Sequence, residues 1–228
     1  MKPKNERSAG AFTLVDFMVV MAVLAVLAVM LVPALKRSRA KGSRVSCANL
    51  LKQAGLASRQ WAIDNGDKFP AHVSVTNGGA MELVESGGTY AVFLVMSNEL
   101  NTPKILICPA DRTPSRIMAT SFSFESSQTL AIPFTNNNNI SYFVGLDANE
   151  TQPNAILSGD DNFLVNAAKP KPGVLLLWTN SPVAWTKDRH VNQGYIGLAD
   201  GSVMGVGTPK LGEALVNTGM ATNRLAMP

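Results

Sequence analysis

Hydrophobic and polar positions along this chain fall into three regimes. From Phe17 to Val32 the run FMVVMAVLAVLAVMLV holds 16 residues and no charge. Widened to Phe12–Leu35, the window has 24 residues and one ionisable group, Asp16. As a helix it is about 36 Å long, enough to cross a hydrocarbon core of about 30 Å. A core helix of a soluble protein keeps a polar stripe, and this run has none. In the second regime Cys47, Leu50, Leu51, Ala54, Ala57 and Trp61 recur at three- and four-residue steps, the apolar stripe of an amphipathic helix. Helical patterning therefore continues to about Asp64, where Asp64-Asn65-Gly66-Asp67 reads as a turn. Pro33 predicts a bend, because proline removes a backbone hydrogen bond and crowds the preceding turn.

Beyond residue 68 the pattern breaks into short apolar runs between polar stretches, the third regime. Tyr90–Met96 reads as a helical turn region and Ile105–Cys108 as a short buried strand stopped by Pro109. Residues 112–139 read as a long loop or irregular hairpin, Ile140–Leu146 as a strand, and 147–162 as turn-rich. Gly173–Thr179 is an unbroken apolar run suited to the middle of a sheet. Asp200-Gly201 between two apolar stretches predicts a hairpin, since both turn residues tolerate positive φ. Residues 209–217 look like a short final helix that Pro209 opens. The expected class is α+β: a long N-terminal helix packed on a small antiparallel sheet. The expected segments are a leader (1–11), an apolar helical half (12–35), an amphipathic half (36–64) and a globular head (65–228).

A removed signal peptide would carry a small-x-small cleavage site after its apolar core. Here Val32-Pro33-Ala34-Leu35 runs straight into Lys36-Arg37-Ser38-Arg39, which favours a retained anchor. Charge refines this. The chain carries +4 overall. Its leader contributes +2 and residues 36–44 contribute +5, so residues 45–228 sum to −2 once Asp16 is counted. The head is slightly acidic and no nucleic-acid partner is expected. The basic flank suits lipid headgroups.

Candidate chemistry is sparse. Cys47 and Cys108 fit a disulfide in an oxidising compartment, where it would tie the long helix to the head, and equally fit two buried thiols. Two cysteines and two histidines (His72 and His190) lie too far apart in sequence for a zinc spacing. Asp147, Asp160 and Asp161 are weak candidates for a cation site. Calcium is the one cofactor in view, and Asp64 and Asp67 read better as a turn than as its ligands. His190 with Asp200 invites an acid–base reading, but no nucleophile accompanies them and the Asp-Gly pair already has a turn role. No phosphate loop, nucleophile elbow or metal-ligand cluster appears, so no enzyme is expected.

Several stretches carry a resemblance. Ala11 followed by Phe12-Thr13-Leu14-Val15-Asp16 and the apolar run resembles the type IV pilin and type II secretion pseudopilin family. Asn65-Gly66-Asp67-Lys68-Phe69-Pro70, Cys108-Pro109-Ala110-Asp111, and His190 with nine residues before Asp200-Gly201 are similar to prepilin-type cleavage/methylation proteins with a His-x9-Asp-Gly motif. The resemblance implies a pilin-like fold, cutting by a prepilin peptidase between Ala11 and Phe12, and methylation of the new amine. It implies that Asp16 meets the terminal amine of a neighbouring subunit, an acid less costly beside an ammonium than alone. Departures are Ala11 where glycine is usual (Gly10 precedes it, and a cut there would move the acid one place), Asp16 for glutamate, and Asp161 where arginine is frequent. That last change removes the cation expected to pair there. The implied partners are the inner membrane, the peptidase and other pilin-like subunits. The implied place is a single-pass inner-membrane protein with an extracytoplasmic head, or a periplasmic or extracellular filament. The other reading is a tethered binding protein whose head recognises a carbohydrate, cation or surface partner.

Overall fold

The computed structural model describes residues 14–123 and 131–228. Ala11 and Phe12 lie outside the described residues. Contacts divide the chain into two compact units, one ending at Gly42 and one spanning Ser43–Pro228. Helix α1 (Leu14–Asp64) contributes to both and continues through Pro33, so the proline does not end it.

In the first unit, Leu14–Val32 forms 19 helical residues, none of them buried. Length and composition suffice to cross a membrane, and a signal sequence has the same properties. Asp16 stands in the first described turn of α1.

The second unit, Ser43–Pro228, is an α+β head. The last turns of α1 bury Cys47, Leu51, Ala54, Ala57 and Trp61, one stripe of the helix. Asn65 closes the helix by donating its side-chain amide to the Trp61 carbonyl at 2.8 Å. Gly66 and Asp67 then turn the chain with positive φ of 68° and 58°. Three short helices follow: α2 (Met81–Glu85), α3 (Tyr90–Val95) and α4 (Ser97–Leu100).

The sheet strands are β1 (Tyr142–Gly145), β2 (Ile156–Asp160), β4 (Gly173–Trp178), β6 (Gln193–Leu198), β7 (Val203–Gly207) and β8 (Thr222–Met227). They lie in the order β4-β8-β1-β2-β6-β7, every neighbour antiparallel. β3 (Phe163–Val165) and β5 (Val183–Trp185) make a separate pair. Helix α5 (Thr208–Asn217) joins β7 to β8. Side chains alternate between two cores, as period two requires. Tyr142 and Val144 face the core built on α1 and α3, with Leu51, Phe93 and Met96. Phe143 faces the core under α5, with Ile196, Leu211 and Leu215. Both faces of the central strands are covered, so β1 and β2 are buried at every position.

Four sequence expectations change. Ile105–Cys108 is not a strand. Pro103–Leu106 forms a 3-10 turn, with Pro103 presetting φ and the Thr102 hydroxyl accepting from the Lys104 amide. Gly173–Thr179 is not central. β4 is an edge strand with Val174, Leu176 and Trp178 about half exposed and only Leu177 fully buried. The turn-rich segment 147–162 contains the central strand β2. Its Ser158-Gly159-Asp160 looks polar, but Gly159 lies under the Phe143 ring, where an added Cβ would sit 2.6 Å from Cζ. β8 was not anticipated, because Thr222-Asn223-Arg224 masks its apolar end. The Asp200-Gly201 hairpin is present between β6 and β7, with Gly201 at φ 84°.

A disulfide joins Cys47 on α1 to Cys108 after the 3-10 turn, across a sequence separation of 61 residues. Closing a loop of that length restricts the unfolded chain by about 4 kcal/mol in the entropic account. The double variant C47S/C108S of the full chain in detergent should lose roughly that stability in urea unfolding under oxidising conditions. A loss under about 1 kcal/mol would mean that contacts other than the bridge fix α1 to the head.

Candidate functional site

The polar centre of the head is built by four segments that meet beside the disulfide. Asp111 comes from the turn that follows Cys108, held by its amide on the Cys108 carbonyl at 2.8 Å. Ser141 directly precedes β1. Asp160 ends β2 and Asp161 follows it. Arg189 and His190 come from the loop between β5 and β6. That loop closes through Val191 and Asn192, both at positive φ (56° and 58°), with the Asn192 amide on the Thr186 carbonyl at 3.1 Å. A β-branched residue in this region is strained.

Arg189, with 3% of its side chain exposed, is the hub. Its guanidinium donates to the Ser141 carbonyl at 2.9 Å and pairs with Asp111 and Asp161, while Asp160 Oδ1 lies 3.9 Å away. Arg116 closes the network. It pairs with Asp161, reaches Asp111 at 3.2 Å and donates to the Asn137 carbonyl at 2.7 Å. Burial by itself raises the Asp111 pKa. The Arg189 charge and hydrogen bonds from Thr113 and Ser141 outweigh that and hold it below the usual range. Burial prevails at Asp161, whose pKa is raised despite Arg189 and Arg116. Burial pushes Asp160 up to about 7, against Arg189 and the Tyr195 amide bonded to its Oδ2 at 2.9 Å. Burial also lowers His190, to about 4, helped by the charges of Arg189 and Arg44. His190 is therefore neutral at pH 7, and its 3.7 Å approach to Asp160 Oδ2 is not a charge pair there.

Further contacts place His190. Nε2 lies 3.4 Å from Cys108 Sγ. Its ring meets Tyr195 edge to face at 5.3 Å, and Arg44 of α1 donates to its carbonyl at 3.2 Å. Asp200 has other partners. Its carboxylate accepts from the Ser202 amide at 2.8 Å and its carbonyl from Arg59. The two ends of the His-x9-Asp-Gly motif thus do separate work, one beside the disulfide and one in the β6–β7 turn.

The three aspartates proposed for a cation do not act together. Asp147 bonds the Arg224 amide at 2.7 Å and its Nε at 2.8 Å. Asp160 and Asp161 instead face Arg189, which supplies the positive charge a cation would bring. The expectation that Asp161 leaves this place without a salt bridge is likewise corrected: its cations arrive from Arg116 and Arg189, far away in sequence. Sequence reading missed Arg116, Arg189 and Ser141. The one local signal was Asp111, in the Cys-Pro-x-Asp stretch. Beside the network lies a cleft of about 320 Å³ lined by Thr113, Arg116, Asn137, Asp161, Asn162 and Lys169 among others. Within it Asn162 is buried and its Oδ1 lacks a hydrogen-bond partner.

Fold and site together define an α+β protein: an antiparallel-sheet head, cross-linked by a disulfide and a buried ion network, in a chain whose Leu14–Val32 segment is an exposed apolar helix. No family model, characterised protein or solved structure matches the chain.

Two outcomes follow. R189M leaves three buried carboxylates around an apolar side chain and should cost about 3–5 kcal/mol of head stability. Unchanged urea unfolding would show that the network contributes nothing. For Asp160 the sign runs toward acid. A carboxyl whose pKa rises from 3.8 to about 7 on folding favours the folded state most below pH 3.8, and that contribution is lost as pH rises through 7. His190 runs the other way: its contribution is full above pH 6.5 and is lost as pH falls through about 4. In the native chain the two slopes oppose each other. D160N removes only the first, so its unfolding midpoint relative to wild type should climb between pH 4 and pH 7 and level off above. A difference that is flat with pH would show that Asp160 stays ionised, with Arg189, Asp111, Asp161, Tyr142 and His190 around it.

Proposed function

We propose that this chain is a structural subunit of the pilin or pseudopilin type, assembled with copies of itself or related subunits through its apolar helix. One observation carries the reading: a 19-residue apolar run, none of it buried, belongs to the same unbroken helix whose later turns bury an apolar stripe in the head. So large an exposed apolar surface is unfavourable in water and needs lipid or other apolar helices around it. The Phe12-to-Asp16 signature supports processing just before Phe12, and Asp16 in the first described turn supports pairing with a neighbour's terminal amine. The head's work in this account is to be robust. Its disulfide and ion network tie α1, the sheet and the long loops into one block. On this reading the head lies outside the cytoplasm, where a disulfide persists.

A second reading rests on the cleft beside Arg116. Buried Asn162 and flanking asparagines and charges offer hydrogen bonds to a polar ligand. The chain would then be a tethered binder that uses the helix only as an anchor.

Mass spectrometry of the N-terminus of protein recovered from native membranes separates these accounts. A mature chain that begins at N-methylated Phe12 is expected. An intact Met1, or a cut after Ala34, would remove the pilin account and leave an ordinary anchor or a released signal.

A further inference from the structure

The disulfide has a third neighbour that a structural cross-link does not require. Cys47 Sγ, Cys108 Sγ and one ring nitrogen of His190 all lie within 4.8 Å of one another, and all three residues are at most 1% exposed. The nitrogen facing the sulfurs is Nε2, 3.4 Å from Cys108 Sγ. Asp160 Oδ2 lies 3.7 Å from the same nitrogen and accepts from the Tyr195 amide. Asp160 is fully buried and its Oδ1 has no hydrogen-bond partner. Two sulfurs and an imidazole therefore converge in a buried site, with the Asp160 carboxylate next to the imidazole. Their places in sequence (47, 108 and 190) gave no hint of it.

We propose that in the reduced chain these residues form a tetrahedral site for a thiophilic divalent cation of the zinc class. Cys47, Cys108 and His190 are its ligands, and the fourth position is left for an exogenous ligand such as water. The bridge and the cation are exclusive fates of the same sulfurs. As a disulfide the sulfurs share a bond and are poor ligands. A tertiary phosphine and water reduce the bridge, giving phosphine oxide and two thiols. The cation then displaces two protons from those thiols and binds two thiolates. Soft sulfur with imidazole selects zinc or cobalt over magnesium or calcium. His190 Nε2 would ligate and Nδ1 would carry the proton. Nδ1 has no hydrogen-bond partner, so the site lacks the outer acceptor that strengthens many histidine ligands. The cation would fasten α1 to the head at the point where the disulfide does, holding the head together before oxidation. The site forms whether or not the chain assembles into filaments.

The test uses the full chain in detergent, reduced anaerobically with a water-soluble tertiary phosphine and titrated with cobalt(II). One equivalent should bind, with the thiolate-to-cobalt charge-transfer absorption and the intense visible bands of a tetrahedral site. The oxidised chain should show neither. H190A should weaken binding at least tenfold and alter the visible bands while the charge-transfer absorption remains. Because H190A removes a buried ring and can unfold the head, a second measurement uses wild type alone: one equivalent of zinc should slow alkylation of both thiols at least tenfold. A reduced chain that shows no charge-transfer absorption, equal binding by the oxidised chain, or alkylation rates that zinc leaves unchanged would each overturn the proposal.

Discussion

The head depends on a guanidinium buried among carboxylates. Arg189 brings one positive charge into a place where Asp111, Asp160 and Asp161 would otherwise meet without water. Removing an ion from water costs several kcal/mol, and only partners with good geometry offset it. Here the offset is uneven. Asp111 gains enough from Arg189, Thr113 and Ser141 to stay ionised, whereas Asp160 remains poorly compensated and holds its proton to about pH 7. Arg116 and Arg189 together balance the acids that meet there. Each partner comes from a different stretch of chain, so the balance exists only when the disulfide loop, the sheet and the β5–β6 loop are in register. The network is thus a check on the correct fold as much as a source of stability.

The chain's two units obey different physics. In the head, period-two alternation is met by two apolar cores, and even small residues such as Gly159 are set by what packs on them. From Leu14 to Val32 no position is buried by the chain itself. These 19 residues have the composition of a core helix and the exposure of a surface helix, and the conflict is resolved only by surroundings the single chain lacks. The site beside the disulfide belongs wholly to the head. Whatever His190 does, it does among Cys108, Asp160 and Tyr195.

Much of the fold was legible where physics is local. The helical stripe from Cys47 to Trp61, the turn after Asp64, the Asp200-Gly201 hairpin and the final helix each follow from spacing or turn chemistry within a few residues. Elements failed where the outcome depends on distant neighbours. Leu175, Leu176 and Leu177 look equally apolar, but at a sheet edge only the residues facing the core are covered. β2 reads as turn because its residues were chosen to fit beneath Phe143 and to bring Asp160 to Arg189. The site was less legible still. Asp160 and Asp161 were visible as a pair of acids in a turn-rich stretch and at most a weak cation candidate, while the positive charge arrives from Arg116 and Arg189.

By itself the sequence determined the apolar N-terminal helix, the amphipathic continuation and the α+β class, because hydrophobic periodicity is a property of neighbouring residues. Only the tertiary structure decided which strands are central, that Cys47 and Cys108 are bonded, and that His190 stands beside sulfur and carboxylate. These are contacts between residues tens of positions apart. Their energies rest on desolvation and exact geometry, which no local pattern encodes.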